Sequence, residues 1–176
     1  MAVMPARRRQ GPTPGPRAPP RPLPNAAPPG ADPRALDREG GNLLFRCDVE
    51  MLPRLLELGL NLEHRDARGR TPLLHACDGG DEDVVAALLK AGANVAAADR
   101  FGDTAQHLAA RSGSSWADGD IARKLVRECG IPTDVRDSHG WTPLHMAAAN
   151  GCTGNARALL ELGADVGARS NQGSTV

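Results

Sequence analysis

A repeat of 33 residues constrains this chain more than any other feature. Asp66–Ala98 reads D-A-R-G-R-T-P-L-L-H-A-C-D-G-G-D-E-D-V-V-A-A-L-L-K-A-G-A-N-V-A-A-A. Asp137–Arg169 reads D-S-H-G-W-T-P-L-H-M-A-A-A-N-G-C-T-G-N-A-R-A-L-L-E-L-G-A-D-V-G-A-R. Each unit offers a polar turn, a T-P-L start, a Gly break, paired leucines and a closing G-A-[ND]-V. In the second unit Thr142 is an N-cap and Pro143 takes the first helical position, where a missing N–H costs nothing. Leu144, Ala147 and Ala148 are apolar, two of them small enough for close helix approach, and Asn150-Gly151 ends the helix. A second helix is predicted from about Asn155 to Leu162, with Ala156, Leu159 and Leu160 on one face and Gly163 closing it. Neither reaches the roughly 12–15 residues at which an isolated helix becomes marginal in water, so neighbours must hold both. The expected fold is an all-α array of helical hairpins.

The T-P-L-H order at a 33-residue period resembles the ankyrin-repeat family, whose unit carries T-P-L-H-x-A. The resemblance covers residue 36 onward and implies a solenoid of about four repeats. Residues 36–65 read as a degenerate N-terminal capping repeat. Leu55-Leu56 and Gly59 mark its second helix, whereas Gly40 and Gly41 fall in the leucine and histidine slots and leave only a short turn at Asn42–Phe45. Pro53 is accommodated if the second helix begins near Glu50. Residues 66–98 form a regular unit. Residues 99–136 form a unit with an insertion, four extra residues falling in Ser114–Asp120 and one near Cys129. Its motif is eroded to Thr104-Ala105-Gln106-His107, which puts an amide where a buried leucine is usual; Asp118-Gly119-Asp120 is read as the cap of its second helix. Residues 137–169 are regular again, and 170–176 begin an incomplete repeat.

Overall charge is zero, but its distribution is uneven. Eleven of the fifteen prolines lie in residues 1–33, and residues 1–35 carry six arginines against one acid, Asp32. The remaining fifteen basic and twenty acidic residues make the body net acidic. The tail, residues 1–35, has too few apolar side chains to offset ordering entropy and is expected to be a disordered, polyproline-rich arm. Pro16, Pro19 and Arg21 have the P-x-x-P-x-R form of an SH3 ligand, set against a plain solvated spacer. Arg7-Arg8-Arg9 is a short basic run. No apolar stretch is long enough to span a membrane, and the N-terminus lacks a signal-peptide core. The expected location is the cytoplasm, with the nucleus as a second compartment. Cys47, Cys77, Cys129 and Cys152 lack C-x-x-C spacing and read as reduced core residues.

Nothing in the sequence points to catalysis. His64, His75, His107, His139 and His145 come without a nucleophile elbow, an H-E-x-x-H pair or zinc-spaced cysteines. The resemblance implies that His107 and His145 bond the turn. Asp81-Glu82-Asp83 complements a helix dipole, and no phosphate-cradling loop follows Gly79-Gly80. No enzyme, cofactor or metal is expected.

The resemblance implies instead a protein–protein interaction module, binding through hairpin tips and the inner-helix face. Those slots hold Arg68, Arg70, Arg100, Phe101, Asp103, Arg111, Ser138, His139 and Trp141, with Trp116 in the inserted loop. Phe101 and Trp141 are apolar anchors among arginines, the composition of hot-spot cores. Two alternatives stay open for the tryptophans: Trp141 contacts a partner or packs between hairpins, and Trp116 does so or folds over Ile121. A basic edge of Arg65, Arg136 and Arg169 favours an acidic patch or peptide, and nucleic acid is not expected. The terminal Ser174-Thr175-Val176 also fits a PDZ ligand, though the repeat alone explains it. An intracellular adaptor or scaffold is the leading reading. Its rivals are a fragment or isoform of a longer ankyrin-repeat protein and a relative of the cyclin-dependent kinase inhibitors of this family.

If the arm contributes nothing to folding, deleting residues 1–33 leaves the melting temperature unchanged in a thermal scan; a shifted midpoint contradicts the expectation.

Overall fold

The structure is a computed structural model that describes residues 32, 34–113 and 119–176. The unit from Asp32 to Val176 is all-helical. A 3-10 turn, Leu43–Phe45, is followed by α1 (Leu52–Glu57), α2 (Pro72–Gly79), α3 (Glu82–Lys90), α4 (Ala105–Arg111), α5 (Asp120–Arg127), α6 (Pro143–Ala149) and α7 (Thr153–Glu161). The 3-10 turn, α2, α4 and α6 form the inner row and α1, α3, α5 and α7 the outer row; each element packs on its sequence partner, and along the rows the 3-10 turn packs on α2, α2 on α4, α4 on α6, α3 on α5 and α5 on α7. Helix α1 starts at Leu52 rather than near Glu50 and carries Pro53 in its first turn, where no carbonyl awaits its missing N–H.

Local chemistry sets the inner helices. Thr71 and Thr142 are extended N-caps whose hydroxyls accept from Leu74 and His145 N–H, each followed by proline at the first helical position. In α4 and α6 the fourth slot is histidine. Thr104 N–H donates to His107 Nδ1 at 3.3 Å and Thr142 N–H to His145 Nδ1 at 3.2 Å, closing capping boxes. An accepting Nδ1 puts the ring proton on Nε2, which points at the next unit: His107 Nε2–H lies 3.0 Å from the Trp141 carbonyl and His145 Nε2–H 3.2 Å from that of Ser174.

Before, between and after the helix pairs the described residues make five equivalent hairpin turns. In four of them an aspartate carboxylate accepts two backbone N–H groups, as Asp66 Oδ1 does from Arg68 and Arg70 at 2.8 Å each. Asp37, Asp99 and Asp137 repeat the pattern. One backbone hydrogen bond ties each hairpin to the next: Ala67 N–H to Glu39 O, Arg100 to Arg68, Ser138 to Phe101 and Asn171 to His139, at 2.7–3.1 Å. The approach is close enough that a Cβ on Gly102, whose φ is +82°, would sit 2.7 Å from Ser138 N. Glycine there satisfies both the left-handed backbone and the spacing.

The apolar core comes in two parts. Leu44, Leu55, Leu73, Leu74, Val85, Leu88, Leu108 and Leu125 belong to one running through the first three units, and Leu144, Ala147 and Leu159 to a second. Polar groups lie near their division. Helix α4 ends at Ser112 without a left-handed glycine, unlike α2, which closes on Gly80. Its terminal carbonyls are satisfied from the following unit: the two protons of Asn155 Nδ2 are shared among Ala109, Ala110 and Ser112 O at 2.9–3.1 Å, and Cys152 Sγ lies 3.4 Å from Arg111 O. Gln106 is fully buried, and neither its amide nitrogen nor its oxygen has a partner among the described residues. The N-cap of α5 falls within Asp118-Gly119-Asp120, of which Asp118 lies outside the described residues, and it carries no side-chain hydrogen bond. Gly119 is the N-cap, at φ +84°, and Asp120 is already helical. A Cβ at Gly119 would collide with that of Ala158 on α7.

Two buried amides thus have opposite signs. Gln106→Leu is expected to stabilise the protein by about 1–2 kcal/mol, because an unpaired amide is removed at nearly constant volume. Asn155→Ala is expected to cost about 1–3 kcal/mol, because three carbonyls lose their donor. Urea unfolding of the two variants checks both directions.

Candidate interaction surface

The hairpin stack presents a tip row and an inner palm. At the tips Arg68, Arg100, Phe101, Ser138 and His139 are exposed. Phe101 is 54% exposed, high for a phenylalanine, yet its main chain is fixed on both sides. Its N–H donates to Asp99 Oδ1 at 2.8 Å and its carbonyl accepts from Ser138 N–H at 3.1 Å. A large apolar side chain on a rigid backbone loses little main-chain entropy on contact. Arg68 and Arg100 form no ion pair among the described residues, whereas His139 Nδ1 lies 3.6 Å from Asp137 Oδ2. Trp141 divides its surface: half-buried, it lies tilted against the His145 ring at a centroid distance of 6.0 Å and keeps its other part open.

Several arginines expected at a basic edge are committed elsewhere. Arg65 donates from one terminal nitrogen to Gly69 O at 2.6 Å and Ala98 O at 2.7 Å; Arg136 does the same to Gly140 O at 3.0 Å and Arg169 O at 2.6 Å. Each guanidinium joins its hairpin to the entry of the following one. Its task is structural because carbonyls converge there from both sides.

Arg70 and Asp103, placed with the tips by their slot, are also not tip residues. Arg70 is buried, its side chain only 5% exposed, and donates to Asp78 Oδ2 at 2.8 Å, with Asp99 Oδ2 at 3.6 Å from its Nε. Arg111 donates to the other Asp78 oxygen at 2.8 Å and lies 3.9 Å from Asp103 Oδ2. These five groups form one network on the palm between the second and third units, with three carboxylates against two guanidinium groups. Burial tends to raise the Asp78 carboxyl, but the Arg111 hydrogen bond and charge, with Arg70, hold it below the usual carboxylate range. Asp103 goes the other way. Burial and then the Asp99 charge push its carboxyl up, outweighing the help from His107 and Arg111.

Trp116, like Pro16, Pro19 and Arg21, lies outside the described residues. All four cysteines are free thiols, and burial pushes Cys77 well up. Among the described residues no group of three or more His, Cys, Asp or Glu is placed to hold a metal ion, and no helix is long and apolar enough to cross a membrane.

Residues 42–133 and 96–170 match the family model described as ankyrin repeats (3 copies). The chain is 37% identical over 123 residues to the ankyrin repeat protein nuc-2 of Neurospora crassa, which covers 69% of this chain and 11% of that protein. It is 36% identical over 123 residues to the ankyrin repeat and KH domain-containing protein mask-1 of Caenorhabditis elegans, covering 69% of this chain and 4% of the relative. With ankyrin repeat and SOCS box protein 16 of Mus musculus the identity is 39% over 109 residues, covering 60% of this chain and 24% of the relative. The chain therefore spans only a small part of the curated relatives it matches.

The palm network yields a pair of opposed expectations. Asp78→Ala removes the hydrogen-bonded partner of buried Arg70 and leaves it only the longer contact with Asp99, and is expected to cost about 2–3 kcal/mol in chemical denaturation. Asp103→Asn is expected to raise the melting temperature at pH 7. A carboxyl whose folded-state value is raised stabilises fully only below its unfolded value, about 3.9, and that contribution is lost as pH rises through the folded value. The advantage of Asp103→Asn therefore shrinks as pH falls toward 3.5, which parallel thermal scans measure.

Proposed function

This chain belongs to the ankyrin-repeat family, whose repeats are protein-interaction modules, and on that premise we propose that it is a non-enzymatic adaptor or scaffold holding a protein partner along its hairpin tips and palm. The observation that carries the reading is Phe101, an exposed aromatic anchored by its own backbone between Arg100 and the next hairpin. Aromatic anchors bordered by arginine form the energetic centre of many interfaces. Arg68 and Arg100, exposed and without ion pairs among the described residues, favour an acidic stretch of the partner laid across the tips, chiefly by speeding encounter and fixing register. Arg111, Ser138, His139 and the open part of Trp141 extend that surface inward. The Pro16, Pro19 and Arg21 element is proposed as a second docking point, for an SH3 domain. The cytoplasm, or the nucleus, is the compartment this reading assumes.

A second reading is favoured by the small share of its relatives' length that the chain matches. In it, these repeats are the docking part of a longer protein whose activity lies elsewhere.

Proximity labelling from the full chain in cells identifies partners, which are then retested with purified variants. Phe101→Ala is expected to weaken capture by about ten-fold or more, and Arg68→Ala with Arg100→Ala to slow association while steepening no salt dependence. Circular dichroism should stay unchanged in both. Capture undiminished in Phe101→Ala would sink the tip assignment.

A further inference from the structure

Asp103 has an environment that the fold alone does not account for. Its side chain is 5% exposed, its Oδ1 has no hydrogen-bond partner, and its nearest cation, Arg111, stands 3.9 Å from Oδ2. Arg111 is bonded closely to Asp78 instead, at 2.8 Å, and keeps 28% of its side chain open. Asp99 shares the deficit: its Oδ2 also lacks a hydrogen bond, with Arg70 Nε at 3.6 Å. Three carboxylates thus share two guanidinium groups, and the surplus negative charge falls at the end of the network nearest the fourth unit. His107 offsets it only in part, and its Nε2–H is directed to the Trp141 carbonyl, not to Asp103. The half-open ring of Trp141 stands in the slot equivalent to Asp103 on the adjacent hairpin. A buried acceptor left unpaired at a cost to the fold is a mark of a group kept for a ligand.

We propose that the palm between the third and fourth units is a receptor for one arginine side chain of the protein partner, with Asp103 as its counter-ion and Trp141 as the flanking ring. The proposal rests on the reading that the palm meets a partner, and it names the chemistry that enters there. A guanidinium suits the site better than a point charge. Its planar fork donates to a carboxylate in the plane while its face lies on an aromatic ring. Room is made when Arg111 settles wholly on Asp78, to which it is already bonded, and gives up its long contact with Asp103. The partner segment is then bipartite. Acidic residues lie across Arg68 and Arg100 at the tips, and one arginine reaches inward past Phe101 to Asp103. Such opposite charges a few residues apart give register as well as affinity, because a segment shifted by one unit places its arginine against Arg70 and Asp78, which are already paired.

The test uses the full chain and Nα-acetylargininamide as the probe, followed by amide and side-chain nitrogen–proton spectra at low salt, with Trp116→Phe identifying the Trp141 indole signal. Saturable shifts are expected at Asp103, at the Arg111 Nε–H and at the Trp141 indole. Asp103→Asn, which keeps the fold, should weaken the response by about ten-fold or more. Neutral Nα-acetylglutaminamide should leave these signals in place. The proposal is overturned if no saturable response occurs up to tens of millimolar probe, if Asp103→Asn responds like the parent chain, or if the glutamine analogue gives the same shifts. Phe101→Ala should respond to the probe as the parent does. Failure of the tip assignment, read in partner capture, is thereby kept apart from failure of the arginine receptor, read in the probe titration.

Discussion

The structure depends on a carboxylate turned back onto its own hairpin. Asp37, Asp66, Asp99 and Asp137 each accept two backbone N–H groups, and this closes the turns tightly enough for one hairpin to bond the next. Short helices cannot set their own spacing. The hairpins set it for them, and threonine-capped inner helices then begin at the same height in each unit. The fifth turn shows the dependence by contrast. Ser170 replaces the aspartate and supplies a single hydroxyl contact, 3.2 Å from Ser174 N–H, although the turn still bonds back to His139.

The same geometry accounts for the division of labour among polar residues. Groups directed along the array, such as Arg65, Arg136, His107, His145 and Asn155, meet carbonyls of a neighbouring unit and are absorbed by the fold. Groups directed outward from the tips stay exposed, as with Arg68, Arg100 and Phe101, and the two arginines form no ion pair among the described residues. The palm lies between these cases. Its charges are mostly paired, but three acids cannot be balanced by two arginines, and the imbalance collects where Asp103 stands.

Much of this was legible in the sequence because it is written in residues whose local chemistry is restrictive. Thr-Pro at 71–72 and 142–143 fixes a helix start, Gly163 follows an outer helix, and the amide at 106 stands in the slot that Leu73 and Leu144 fill with core side chains. What escaped are side chains whose direction is decided by another repeat. Arg70 shares its hairpin slot with Trp141, so its position alone says surface; Asp78 and Asp99 draw it inward. A signal was present. Arg70 and Asp78 in one unit become Asp103 and Arg111 in the next, a charge exchange between the same two slots 33 residues apart. Asn155 likewise stands in the slot of Val84, but nothing local says that it reaches carbonyls more than forty residues away.

The division of the core changes how the array responds to temperature. Upstream joints are largely apolar, through residues such as Leu73, Val85, Leu88 and Leu108, and apolar burial carries a large heat-capacity change and weakens on cooling. The joint between the third and fourth units has a smaller apolar part, Leu144 and Leu159 among small alanines, and adds hydrogen bonds from Asn155, Cys152 and His107, which carry little of that heat-capacity change. The point of least resistance therefore migrates. Cooling weakens the apolar joints relative to the more polar one, and warming does the reverse.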